Sequence, residues 1–265
     1  MKFNEINNEA KKYLKNNFWK LFFIIFINYI ITTILSKFSN NFETVLFKLI
    51  YLTFLYAVTI PLSYGVLVSF IKISRNEPIS ILSFISDGMK SFKSIWKVVG
   101  RTILKLLFPI ILLIIGIFLS IILFNFSILN LGSTNLLLLI VSIIVSMILT
   151  ILPAIYYIIK CFSYSLANFI LYDNPDFTAK EIVAESDKMM KGNKFTLLTI
   201  ILYILLLFLA LFAICIIVAL ILKTPIAVLA SVIVILISAF LILPYSFALQ
   251  VAFYNLLKEN STMKS

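Results

Sequence analysis

The sequence predicts an all-α polytopic membrane protein with six transmembrane helices, and three observations carry that prediction. Residues 106–159, 195–222 and 224–257 contain no Asp, Glu, Lys or Arg and are packed with Leu, Ile, Phe and Val. A bilayer core of roughly 30 Å takes about 20 apolar helical residues to cross, so the first stretch, with a polar break near its middle, can cross twice. The chain as a whole is 62% hydrophobic and only 12% charged, which leaves little for a soluble domain. Basic residues, finally, cluster in the segments that alternate connections between spans would place on one side of the membrane.

In chain order the spans fall at about 18–35, 49–71, 102–124, 136–159, 195–222 and 225–247. The first is the shortest, its charge-free part running only over 21–36, so Lys20 belongs at the interface beside Phe18 and Trp19 as part of an aromatic belt. Together they account for one integral membrane domain over residues 1–265.

Orientation follows from the lysines and arginines. Residues 1–20, 72–105 and 160–194 and the C-terminal tail carry 19 of the 22, while the opposite side holds only Lys37, Lys48 and Lys223. The positive-inside rule then places both termini in the cytoplasm. The net charge of +11 belongs to that face and suits anionic lipid headgroups; split among short membrane-anchored segments, it is no nucleic-acid footprint. A cleaved leader is not expected, because 20 residues precede the first apolar run and Ser36, Lys37 and Phe38 follow it in place of a small-residue cleavage site. Cys161 and Cys215 suggest neither a disulfide nor a metal site, and the absence of histidine removes the usual zinc ligand and general base.

The basic segments have their own order. Thr178, three residues before Glu181, forms a capping box; Gly192 is a helix stop; and Ile182, Val183, Ser186, Met189 and Met190 recur at helical spacing. A short amphipathic helix is expected there, lying at the inner membrane surface or against the span ends. Ser80 can cap a second such helix with Ile81, Leu82, Ile85, Met89 and Phe92 on one side, and Phe3, Ile6, Ala10, Tyr13 and Leu14 repeat the pattern at the start of the chain. Each of the three precedes a pair of spans. That arrangement fits either three hairpin repeats, each led by an amphipathic helix, or the chance matches that a low-complexity membrane sequence offers.

Candidates for chemistry are few. Lys48, Lys105 and Lys160 lie near span ends, where the ammonium can snorkel to water, and no carboxylate falls inside a span, which counts against an ion-coupled transporter. Pro61, Pro109, Pro153 and Pro244 can kink their helices. Asn28 and Gln250 can bond between helices, whereas Asn125, with Asn130, Gly132 and Asn135, is expected in the outer turn between the third and fourth spans. No nucleophile–base pair, carboxylate pair or phosphate-cradling glycine loop is present, so neither an enzyme nor a cofactor is expected. Asp173-Asn174-Pro175-Asp176 reads first as a turn, with Asp173 accepting from the amides that follow.

The run SYSLANFILYDNPDFTAKEIVAESDKMMKGNKFTLL over 163–198 and LPYSFALQVAFYNLLKE over 243–259 resemble the DUF975 family of bacterial integral membrane proteins. Its members show similar S-L-x-x-Y-I-L-x-D-N-P, M-K-G-x-K and P-Y-x-x-x-A-x-x-x-F-Y patterns. The resemblance marks Ser165, Asp173, Asn174, Pro175, Lys191, Gly192, Lys194, Pro244, Tyr245, Phe253 and Tyr254 as structural motif positions. In the fifth span this chain has uninterrupted Leu, Ile, Phe and Ala where members often carry Gly and Trp. The resemblance implies a bacterial inner membrane and no particular activity. The expected role is that of a membrane-embedded interaction or envelope-homeostasis protein contacting anionic lipid or a membrane protein partner. The alternatives are a permease or exporter component for a small or amphipathic molecule, or an accessory of peptide-toxin resistance.

Overall fold

The computed structural model describes residues 2–38, 44–129, 136–222 and 224–262, and the described residues are mostly helical with no strand. In order the helices are α1 (Phe3–Leu14), α2 (Phe18–Phe38), α3 (Val45–Ser74), α4 (Ser83–Lys90), α5 (Phe92–Leu129), α6 (Leu136–Ser163), α7 (Ala167–Asp173), α8 (Ala179–Met190), α9 (Lys194–Leu222) and α10 (Pro225–Thr262). Six helical segments are long and apolar enough to cross a membrane, one for each expected span. The chain is a polytopic all-α membrane protein.

Several helices outrun their apolar belts. α5 begins ten residues before the expected span and carries Lys93, Lys97, Arg101 and Lys105 in its first turns, and α10 continues past residue 247 to Thr262. Helix hydrogen bonding does not stop where the bilayer does, and neither extension meets a residue that breaks it. Asn125 consequently lies inside α5, donating to the Ile121 carbonyl at 2.8 Å, and not in the outer turn expected for it. Asn130, Gly132 and Asn135 lie outside the described residues.

The chain divides into two compact units. The first comprises Met1–Ile95, Leu171–Asp173 and Phe195–Ser265. In it α1 buries Ile6, Ala10 and Leu14 against α10, and Tyr245 of α10 donates to Asn7 Oδ1 at 2.6 Å. α4 packs on α3 at very close range: a Cβ on Gly65 would overlap the Phe84 carbonyl, and one on Gly88 would overlap that of Pro61. Lys72 and Asp87 close the same crossing with an ion pair at 2.7 Å. The buried side of α4 is therefore Phe84 and Gly88; Ile81, Leu82 and Met89 of the expected stripe are exposed. Helix α4 starts at Ser83, two residues later than a Ser80 cap would set it, so Ile81 and Leu82 precede the helix and do not share its face.

The second unit comprises Trp96–Ile170 and Asn174–Lys194. Gly116 of α5 sits so close to α6 that a Cβ would overlap the Leu149 carbonyl, a small-residue contact typical of membrane helices. Ser120 Oγ donates across the same pair to the Ser146 carbonyl at 3.0 Å. α8 has the expected capping box, Thr178 accepting from the Glu181 amide while the Glu181 carboxylate accepts from the Thr178 amide at 2.7 Å. Its Ile182, Val183, Ser186 and Met190 are buried and α8 packs against α6. Of the two placements open to this helix, the stripe has taken the protein and not the bilayer surface.

A short helix followed by two long ones recurs three times along the chain. The short helices pack differently in kind, α4 through paired glycines and α8 through a buried serine, so the recurrence lies in element order and not in a shared packing.

Candidate functional site: a buried carboxylate at three helix ends

α3 ends in a Schellman motif. The Glu77 amide reaches the Lys72 carbonyl at 2.9 Å and the Asn76 amide the Ile73 carbonyl at 3.0 Å, with Asn76 left-handed at φ 59°. Asparagine tolerates that conformation because its short side chain bonds locally. The motif fixes where Arg75 and Glu77 point.

α7 ends at Asp173, and the following Asn174 returns its amide to the Ile170 carbonyl at 2.9 Å. The Asp173 side chain is only 3% exposed. On α10, Tyr254 and Lys258 are four residues apart and so share a face.

All three ends meet at the Asp173 carboxylate, within the first unit. Arg75 Nη2 lies 2.6 Å from Oδ1; the Tyr254 hydroxyl and Lys258 Nζ each donate to Oδ2 at 2.6 Å. The Arg75 guanidinium also lies over the Tyr172 ring, 5.3 Å from its centroid, and the Tyr172 hydroxyl donates to Glu77 Oε2 at 3.3 Å. Beside this cluster, Asn255 Nδ2 donates to Ser74 Oγ at 3.0 Å and to the Tyr13 hydroxyl at 3.4 Å. Burial pushes the Tyr13 phenol above its ordinary value. Tyr13, Ser74, Arg75, Asn255, Lys258 and Glu259 line a recess of about 330 Å³.

A buried carboxylate is tolerated when paired and hydrogen-bonded, and here both oxygens are engaged by charge-assisted or hydroxyl donors. Removing one partner of such a group is costly because the other charge is stranded. The arrangement acts as a strut that ties α3, α7 and α10 at their C-terminal ends.

The family described as protein of unknown function DUF975 matches residues 1–261. The chain belongs to the DUF975 family. No curated protein and no solved structure matches it.

In this DUF975 protein the motif positions scatter over several local tasks. Asp173 and Tyr254 are brought together, though 81 residues apart. Tyr245 ties α10 to α1, Pro244 lies buried inside α10, and Phe253 is fully buried beside Tyr254. Ser165 only bonds back to the Phe162 carbonyl at 2.9 Å, and Asn174 caps α7 while Pro175 follows exposed in the turn. Lys191 caps α8, Gly192 adopts φ 82°, and Lys194 opens α9. Among the described residues, the acceptor oxygens of Asp173 go to side chains from distant helices and not to the amides after it, as a turn reading would have it.

Arg75 and Lys258 are the partners that sequence reasoning passed over. One signal was available for Arg75. The chain meets nearly all its need for positive charge with lysine, and Arg75 and Arg101 are its two arginines. A guanidinium can stack on an aromatic ring and engage a carboxylate together, which a lysine ammonium does less well.

Proposed function

We propose that this DUF975 protein is a non-enzymatic interaction protein of the bacterial inner membrane, with six spans and both termini in the cytoplasm, that presents a basic face to anionic lipid headgroups. The observation that carries this reading is the division of α1 and α8 into a covered apolar side and an exposed basic one. Ile6, Ala10 and Leu14 of α1 and Ile182, Val183 and Met190 of α8 are buried, while Lys11, Lys12 and Lys15 and Lys188 and Lys191 are exposed. Helices whose apolar faces are already covered meet a membrane through charge, at about 1 kcal/mol for each lysine near an anionic surface. The 19 basic residues expected on one side support the orientation. A role in envelope homeostasis fits a protein that senses or organises headgroups.

The test is the melting of the full-length protein in a neutral detergent with added phosphatidylglycerol or phosphatidylcholine. Phosphatidylglycerol raises Tm, and the gain shrinks as salt is raised from about 0.05 M to about 0.5 M, because screening shortens the reach of surface charges. Equal shifts from the two lipids contradict the reading. Reporters fused after residues 15 and 259 read as cytoplasmic.

A further inference from the structure

The charge-free run of α6 ends at Ile159, and the next residue is Lys160. Residues 136–159, at about 1.5 Å per residue, make a helix long enough for a core of roughly 30 Å, so Lys160 stands at headgroup height. Its ammonium lies 5.9 Å from the centre of the Tyr156 ring, an aromatic neighbour of the kind found at membrane interfaces. α8 packs on α6 and ends at the Lys191 cap, where Gly192 turns the chain in a left-handed conformation before Lys194.

This turn gathers Lys160, Lys188, Lys191 and Lys194 around a recess of about 480 Å³, with Ala184 and Asp187 completing its wall. Four lysines thus share the recess with one carboxylate residue, Asp187. Among the described residues, Lys160, Lys191 and Lys194 have no carboxylate within ion-pair distance, and Lys188 has only Glu185 at 3.6 Å on an exposed surface. Gathering like charges costs free energy that a bound anion returns, and a lysine ammonium is a good point-charge ligand for phosphate.

We propose that this recess is a phosphate-binding site, filled by the phosphate of an anionic lipid headgroup or by a soluble phosphate compound. The lipid arm rests on the reading given above, and the position of Lys160 at headgroup height favours it. Lys191 and Lys194 of the M-K-G-x-K motif then serve the ligand directly, while Gly192 serves the turn.

The experiment titrates the full-length protein in neutral detergent with phosphatidylglycerol, phosphatidylcholine or inorganic phosphate and follows Tm. It uses the wild type, Lys191→Gln/Lys194→Gln, and Lys37→Gln/Lys48→Gln as a control of equal charge loss at two lysines expected on the opposite side of the membrane. The expected result is saturable stabilisation by phosphatidylglycerol that the 191/194 variant loses by at least about tenfold in midpoint, with less than about twofold change in the control. Inorganic phosphate acting at concentrations as low as the lipid, with the same dependence on Lys191 and Lys194, supports the site with a soluble ligand. Equal phosphatidylglycerol titrations of all three proteins overturn the site and leave the lipid reading standing. No response of the wild type to phosphatidylglycerol or phosphate overturns both. Lys191→Arg/Lys194→Arg, which keeps the charges, binds like the wild type and separates ligand loss from misfolding.

Discussion

Ser186 Oγ donates to the Ser163 carbonyl at 2.8 Å and accepts the Leu166 amide at 3.2 Å. One buried hydroxyl on α8 thereby satisfies two backbone groups where α6 ends and α7 begins. Ser186→Ala leaves a buried donor and a buried acceptor unmatched, at about 1–3 kcal/mol for each such group. The variant is expected to melt lower than wild type, and amide exchange at Leu166 is expected to speed up. Ser165→Ala, which removes only an exposed bond to the Phe162 carbonyl, leaves both unchanged.

The same substitution has opposite signs at different glycines. A Cβ on Gly65 or Gly88 meets the backbone of the facing helix, whereas one on Gly100 of α5 meets nothing within 4 Å. Gly65→Ala and Gly88→Ala must push α3 and α4 apart, at about 1–3 kcal/mol or more, because backbone cannot move aside as a side chain can. Gly100→Ala gains about 0.4–1 kcal/mol from the reduced freedom of the unfolded chain. Melting temperatures of the three variants should fall on either side of the wild type.

Glu181 gives α8 a pH dependence. The Thr178 backbone amide and then the Thr178 hydroxyl hold its carboxyl below the ordinary glutamate value. A carboxyl depressed on folding stabilises the folded state above its unfolded pKa and loses that contribution as pH falls through the folded value. Amide exchange in the first turn of α8 should therefore accelerate as the pH falls below the ordinary glutamate range in the wild type. Glu181→Gln, which cannot titrate, should show no such step beyond the general decline.

What could be read from the sequence was whatever is local or obligatory. A crossing helix must be long and apolar, so the spans were visible, and the Thr178–Glu181 box and the Gly192 stop are short-range signals that the structure retains. The cover over each amphipathic stripe was less legible, because lipid and protein ask for the same apolar residues; Ile182 and Val183 look alike under either. On α4 a glycine face escaped notice, since Gly88 contributes closeness and no hydrophobicity. The partners of Asp173 were hidden by distance in sequence: Lys258 lies 85 residues away, and nothing near Asp173 points to it.

The central claim is that Asp173 holds α3, α7 and α10 together, and the melting temperature of Asp173→Asn tests it most directly. Asparagine preserves the shape and removes the charge that Arg75 and Lys258 face. Breaking a buried pair from one side costs about 3 kcal/mol or more, which corresponds to a fall on the order of 5–10 °C for a chain of this size. Asp176→Asn, at an exposed position three residues on, is the matched control and should melt with the wild type. A marked fall for Asp173→Asn alone is the predicted result; identical melting of Asp173→Asn, Asp176→Asn and the wild type would contradict the account.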